Sequence, residues 1–462
     1  MSGPFYLWNT MANTVSPISG VFDQSGKCIA IAPQDGGPVT PGPGAASYPS
    51  LAALQSALPA ASNAGSVQNV GAQPYMAVNG AWVSMGLTYT GSTISPVLGS
   101  SVINQLPKFK AGLQRVAQRK GRPLIVLVNG DSTEIGFNVA TGTNGFVGAR
   151  KSTHAAQLAR MLGWQDSGCV GAGCGTDVAL NLYDERVSFS GAGLSVNYSI
   201  DALGAAWVQF ANASTGVYTI TPRGNKGYDR VRVVYGRFSS GGASLMKVTV
   251  GGSSIGTFVA QGGSGAGDTQ SVEFSCAYSG PSTPIAISGN SGTTDGQCLI
   301  IAVIWYDSTD PGVIVLNGGS SGAKASNMVS TSNPWSQTAA RAAIDPELNI
   351  INCWINDTYY TTAPATYTTN LTTFKNANSP TSDIVYMGYQ PINDASMSNG
   401  QGDAIFAAMN AVAAGAPVVD LRAVFGPTFA AANALGIYAD TLHITALGQY
   451  YKAAYTASLL VN

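Results

Sequence analysis

The sequence predicts an α/β domain on a parallel sheet, interrupted by a long antiparallel β region and preceded by a turn-rich stretch. Three observations carry that expectation. Pro123 to Asn129 (Pro-Leu-Ile-Val-Leu-Val-Asn) is a continuous apolar run, the pattern of a strand buried on both faces of a parallel sheet. From about Gly163 to about Asp310 the pattern changes to short alternating segments, such as Arg186 to Ser190, Asp229 to Tyr235 and Lys247 to Val250, each ended by Gly, Ser or Asn. Many short strands at that spacing point to a β-sandwich or jelly roll. From Gly312 onward, apolar strands alternate again with helical stretches.

Taken in order, residues 1–105 are broken by Pro and Gly, notably Gly36 to Gly44, and read as an accessory or attachment region. Leu106 to Arg122 carries six basic residues on an amphipathic helix with Phe109, Leu113 and Val116 inward. Such a face is read as solvated, with a polyanion-binding patch as the alternative. Ser132 stands at the carboxyl end of the first apolar strand, the edge where open α/β sheets bind ligands. Ser152 or Thr153 caps a helix from His154 through Leu162. After residue 312, strands are expected at Val313 to Leu316, Leu348 to Ile355, Ile384 to Tyr389 and Pro417 to Leu421. Helices are expected near Leu371 to Lys375, Ala404 to Ala414 and Thr445 to Leu460. The simplest division is 1–105, 106–163, 164–311 and 312–462, with the second and fourth parts forming one domain. A surface loop tolerates so long an insertion because loop-closure entropy rises only logarithmically with length.

Charged residues are 10% of the 462-residue chain, against roughly 25% in an ordinary soluble domain. With 56 glycines, its polar surface must come from Ser, Thr, Asn, Gln and backbone. That composition points to a β-rich, turn-rich extracellular or virion-surface protein, with a soluble cytoplasmic enzyme of unusual surface as the alternative. A net charge of −1 supplies no field for nucleic acid or an anionic membrane. No apolar stretch is long enough to span a bilayer, and the N-terminus lacks the basic start and apolar run of a signal peptide. Export would then follow another route, such as phage assembly and lysis, unless a signal has been removed. The six cysteines show no zinc spacing; Cys169 with Cys174, and Cys276 with Cys298, are candidate pairs, with buried free thiols the equal alternative.

The chemistry is concentrated in two short segments. Gly130-Asp131-Ser132-Thr133 offers a nucleophile, and Asp440-Thr441-Leu442-His443 offers a carboxylate and imidazole three residues apart, close enough for the acid to fix the base's tautomer. Of the two histidines, only His443 has that carboxylate; His154, on the first helix, is read as structural.

In chain order, four blocks resemble those of the SGNH (GDSL-type) hydrolases. They are Gly130-Asp131-Ser132-Thr133-Glu134-Ile135-Gly136, Val315-Leu316-Asn317-Gly318-Gly319-Ser320-Ser321-Gly322, Trp354-Ile355-Asn356-Asp357, and Asp440 to His443 followed by Ile444-Thr445-Ala446-Leu447-Gly448. The resemblance covers residues 106–163 and 312–462 and implies a flavodoxin-like three-layer fold that hydrolyses esters without metal or other cofactor. It implies Ser132 as nucleophile, His443 as base and Asp440 as its partner. It also implies an oxyanion hole from the Ser132 and Gly322 N–H groups and the Asn356 amide, with Gly319 as the alternative to Gly322. Asp131 and Asp357 are scaffold residues in this reading. Trp354 stands where the family usually has Gly, and Glu134 where it often has Thr. Trp354, Tyr359 and Tyr360 are the candidate substrate-binding residues, Trp354 as the group that shortens the acyl pocket.

The expected activity is removal of O-acetyl groups from a polysaccharide, as in phage tail-fibre or tailspike deacetylases, with the jelly-roll-like insertion holding the glycan. The N-terminal region is the expected site of homo-oligomerisation or virion attachment. The alternatives are a lipid or small-ester hydrolase, an acetyltransferase using the same residues, and a non-catalytic glycan-binding or structural protein on the same fold.

Overall fold

The computed structural model describes residues 101–461 apart from 120, 138, 140–148, 163–167, 171–182, 224–225, 239–244, 261–267, 292–296, 332 and 399, together with short pieces of backbone between Trp8 and Ser84. Five parallel strands form its central sheet: β1 (Leu124–Gly130), β2 (Val313–Asn317), β3 (Leu348–Asn352), β4 (Asp383–Gly388) and β5 (Val418–Asp420). Their spatial order is β2-β1-β3-β4-β5. This is the flavodoxin-like doubly wound order, whose direction of winding reverses beside β1. A crevice therefore opens at the carboxyl ends of β1 and β3, where Ser132 and Asn356 follow their strands.

Every residue of β1 is buried, and alternate side chains serve different cores. Leu124, Val126 and Val128 pack with Phe109 of helix α1 (Pro107–Ala117) and with Leu158 of a helix spanning His154–Leu162. A last helix, Ala446–Val461, closes the same layer with Ala453, Leu459 and Leu460. On the opposite face, helices Pro364–Asn378 and Gln401–Ala413 cover the β3–β4 half with Leu371, Phe374, Ile405 and Met409. The β1–β2 half of that face is covered differently. Ile125, Leu127, Ile314 and Leu316 pack against Val234, Ile301 and Ile304 from an antiparallel sheet, with Ile344 of a helix spanning Gln337–Ile344 completing the layer.

Between residues 168 and 306 the chain forms two antiparallel sheets of six and five strands. They bury one shared core that includes Phe210, Val231 and Val233 from the first and Tyr218, Met246 and Ile287 from the second. The first sheet thus serves two cores, because the other face of its strand Cys298–Tyr306 meets the parallel sheet.

Several expectations are corrected in detail. The strand expected to run from Leu348 to Ile355 ends at Asn352, and a short helix, Ile355–Tyr359, begins after the turn at Cys353 and Trp354. Cys276 and Cys298 are free thiols, because their strands are separated in the sheet by Tyr228–Arg237; Cys174 lies outside the described residues. The basic segment keeps a solvated face, with Lys110 and Arg119 exposed, while other groups on it are tied down. Lys108 and Phe109 donate their N–H groups to Asp383, Arg115 pairs with Glu347 at 2.5 Å, and Arg122 pairs with Asp345 at 2.9 Å. Most of the N-terminal region also lies outside the described residues. Among the described residues, no helix is long and apolar enough to cross a membrane.

Candidate active site

The turn that carries Ser132, the expected nucleophile, is built by its neighbours in sequence. Gly130 ends β1 where a Cβ would lie 2.3 Å from the Glu134 side chain and 2.8 Å from the Asn352 carbonyl oxygen, so only glycine fits. Asp131 then caps the short helix Ser132–Ile135, its Oδ1 accepting the Thr133 N–H at 2.9 Å and the Thr133 hydroxyl at 2.8 Å. Gly136 closes the helix in the left-handed region at φ 91°. Ser132 is held in the first turn of this helix at the sheet edge, 8% exposed.

Ser132 Oγ lies 3.0 Å from His443 Nε2, and His443 Nδ1 lies 2.9 Å from Asp440 Oδ2. The other oxygen of Asp440 accepts the Leu442 and His443 N–H groups at 2.7 and 2.6 Å. Burial by itself would raise the Asp440 pKa, but hydrogen bonds from the His443 ring and backbone outweigh it and hold the carboxyl below the ordinary range. The loop carrying this pair is anchored by Gln390, whose side-chain N–H donates to the Leu442 carbonyl at 2.7 Å, and by the Asn393 N–H, which donates to Thr441. Phe137 packs its ring on that of His443, with centroids 4.4 Å apart.

The three expected oxyanion donors differ in how they are held. Gly322 sits at φ 75°, and its N–H has no acceptor among the described residues. The alternative, Gly319, has its N–H committed to Asn317 Oδ1 at 3.0 Å. Asn356 donates one amide hydrogen to the Ala323 carbonyl at 3.0 Å, which orients the group and leaves its second hydrogen for another acceptor. The Ser132 N–H likewise has no acceptor within its own helix, as expected at a helix N-terminus.

One site expectation is overturned. Trp354 is fully buried and stacks on Tyr389 with centroids 5.5 Å apart inside the core beneath β3 and β4, so its ring cannot touch a substrate. Tyr359 and Tyr360 remain exposed, 51% and 59%, in an edge-to-face pair on the helix that carries Asn356. Lys324 Nζ stands 5.4 Å from the centre of the Tyr360 ring.

A buried cluster beneath the nucleophile escaped sequence reasoning. Glu134, His154, Lys452 and Thr456 are all fully buried. One Glu134 oxygen takes Lys452 Nζ and the Asn352 amide, the latter at 2.8 Å; the other lies 2.9 Å from His154 Nδ1. Burial opposes the charge of Glu134, but Lys452 and His154 overcome it and bring its pKa down to about 2. Burial pushes the His154 pKa down and keeps the ring neutral; its Nδ1–H donates to the carboxylate while Nε2 faces Thr456 Oγ1 at 3.1 Å. Gln449 completes the link by donating to the Thr133 carbonyl and accepting the His154 N–H at 3.0 Å. His154 is thus a structural group, joined to the last helix. The available signals were Glu134 in place of the family's Thr, and polar Gln449, Lys452 and Thr456 at helical spacing on an otherwise apolar face.

Asp131 and Asp357 are buried scaffold carboxyls, each with one oxygen lacking a hydrogen-bond partner. Desolvation is the largest influence on both and raises each pKa from 3.8 to about 6. A raised folded pKa means that the stability their protonated forms contribute is complete below about pH 3.8 and is lost as pH rises through about 6. Unfolding in denaturant across that window is expected to show wild-type stability falling relative to an Asp131→Asn, Asp357→Asn double variant, by roughly 3 kcal/mol per group at most. A constant difference across the window would contradict the assignment.

No family model matches the sequence, and no curated protein matches it. Among solved structures, the chain is similar to a peptidoglycan O-acetylesterase at 17% identity and a TM-score of 0.54, over 77% of this chain and 95% of that one. At that identity the likeness shows a shared fold. A Bacillus subtilis protein aligns at 14% identity and a TM-score of 0.29 over 60% of this chain and 86% of its own. The module CsCBM6-3 from Clostridium stercorarium, solved with cellobiose, aligns at 13% and 0.20 over 26% and 86%. At such TM-scores neither bears on function. Among the described residues, no group of three or more His, Cys, Asp or Glu side chains is arranged to hold a metal ion.

Proposed function

We propose that this protein is a serine esterase that removes O-acetyl groups from a carbohydrate polymer. The observation that carries the reading is the continuous hydrogen-bonded chain from Ser132 through His443 to Asp440, set at the carboxyl edge of the parallel sheet. Ser132 Oγ attacks the ester carbonyl as its proton passes to His443 Nε2. The oxyanion that forms is received by the N–H groups of Ser132 and Gly322 and by the Asn356 amide. Collapse expels the sugar hydroxyl, protonated by His443, and leaves acetyl-Ser132. Water, deprotonated by His443, then releases acetate and restores the serine. Asp440 holds the imidazole in the tautomer that presents Nε2 to the serine.

The same reading assigns residues 106–163 and 312–462 to the catalytic unit, with residues 164–311 an inserted jelly-roll-like sandwich that helps to hold the glycan. Tyr359 and Tyr360 offer the exposed aromatic faces on which sugar rings stack. Residues 1–105 serve as the attachment or oligomerisation region of an extracellular or virion-surface protein. Acetate release from a panel of acetylated polysaccharides, beginning with acetylated peptidoglycan because that is the polymer named for the structural neighbour, tests the substrate class. A chromogenic acetyl ester tests the chemistry alone. Folded protein that releases acetate from neither would remove the reading; ester hydrolysis without polymer turnover would favour a small-ester or lipid hydrolase.

Asn356→Ala is expected to lower turnover by roughly a hundredfold to a thousandfold with a smaller change in KM, because its free amide hydrogen acts mainly on the developing charge. An unchanged kcat would remove Asn356 from the oxyanion hole.

A further inference from the structure

Six large apolar side chains are exposed among the described residues, and three of them flank the candidate site. Two are Tyr359 and Tyr360. The third, Ile200, belongs to neither the parallel sheet nor its helices. It lies in the turn joining antiparallel strands Leu194–Tyr198 and Ala206–Phe210. That turn is fastened to the loop carrying Gly322. The Ile200 carbonyl accepts the Ser320 hydroxyl at 2.9 Å and the Gln337 amide at 3.3 Å. Asp201 accepts the Gln337 N–H through its carbonyl at 2.9 Å and the Asn327 amide through its side chain at 2.8 Å. Gly204 donates its N–H to the Gly318 carbonyl at 3.2 Å.

The backbone of Ile200 is therefore fixed to Ser320, two residues before Gly322, and its β-branched side chain has few rotamers to choose from. Its Cδ1 lies 3.4 Å from the point where a Cβ on Gly322 would stand, yet the side chain is 38% exposed and belongs to no core. An exposed isoleucine pinned beside an oxyanion donor has water on its open side when no substrate is present. An acyl group whose carbonyl oxygen is bound at Gly322 would meet that surface.

Resting on the esterase reading above, we propose that Ile200 is a specificity-determining residue, the wall that limits the acyl group to a short chain. The antiparallel region thus contributes to the acyl pocket itself, a role expected from Trp354 that the buried indole cannot perform. A methylene that gains or loses room in an apolar pocket changes kcat/KM by roughly 10- to 200-fold, so removing the wall is expected to register in acyl-chain preference.

The experiment compares kcat/KM on p-nitrophenyl acetate, butanoate and hexanoate for wild type, Ile200→Ala and Ile200→Val. The hexanoate-to-acetate ratio is expected to rise at least about tenfold in Ile200→Ala, with Ile200→Val between it and wild type. The valine variant keeps the test decisive if the alanine variant does not fold. A ratio unmoved in folded variants, or an equal loss on all three esters, would overturn the assignment, the second pattern being that of a merely structural residue. Wild-type protein inactive on every ester would overturn the esterase reading itself, an outcome separate from failure of the Ile200 assignment in an active enzyme.

Discussion

Ser132→Ala is expected to abolish esterase activity, with a loss in turnover of up to about a millionfold, and to leave the fold and its unfolding transition nearly unchanged. Among the described residues, the Ser132 hydroxyl is the one at hydrogen-bond distance from His443 Nε2, 3.0 Å, where the proposed mechanism needs its nucleophile. Its contribution to folding is small. Ser132 opens a helix whose cap is supplied by Asp131 and whose lower side is held by Glu134, and the alanine disturbs neither. Initial rates on a chromogenic acetyl ester, with circular dichroism to check the fold, decide the matter. A folded alanine variant that keeps most of its activity would mean that another group is the nucleophile.

The largest expected change in stability comes from Lys452→Met. Lys452 and Glu134 are both fully buried, and the lysine is the cation nearest that carboxylate. Removing it leaves a buried negative charge facing only the neutral His154 ring and the Asn352 amide. Loss of one partner from such a pair costs about 3–5 kcal/mol, while replacing both by neutral groups of similar volume is often close to neutral. The Lys452→Met variant should therefore unfold at markedly lower denaturant, and Glu134→Gln combined with Lys452→Met should recover much of the loss. A single variant within about 1 kcal/mol of wild type would show that the pair does not hold the last helix to the nucleophile turn.

The parts legible in the sequence were those written in local pattern. The apolar run at Leu124–Gly130 announced a doubly buried strand, and the three-residue spacing paired Asp440 with His443, although through a bend closed by the Asp440 side chain and not through a helical turn. The first and last blocks pointed to residues that the structure brings together, Ser132, His443 and Asp440 in one hydrogen-bonded chain. What stayed hidden depended on contacts between distant segments. An indole beside a strand end has the same sequence appearance at a surface or in a core, and only the packing of Tyr389 put Trp354 inside. Glu134 and Lys452 are separated by most of the chain, so neither reveals the other. The alternation of Leu124, Val126 and Val128 with Ile125 and Leu127 shows two buried faces, but it cannot tell whether a helix or a second sheet covers either one.

The position of β1 also governs how the chain can fold as it is made. Its two partners, β2 and β3, both lie beyond the antiparallel sheets in sequence, so Leu-Ile-Val-Leu-Val leaves the ribosome long before either neighbour exists. A bare apolar strand with open edges is an aggregation hazard for as long as it waits. One face of it can meet the helices at 107–117 and 154–162, which are near in sequence, whereas Ile125 and Leu127 on the other face are covered by Val234, Ile301 and Ile304 of the antiparallel sheet, which also precede β2 in the chain. Residues 168–306 thus carry, ahead of β2 and β3 in the chain, the surface that keeps Ile125 and Leu127 from water. Excising them would bare that apolar face, and the truncated chain is expected to accumulate in the insoluble fraction.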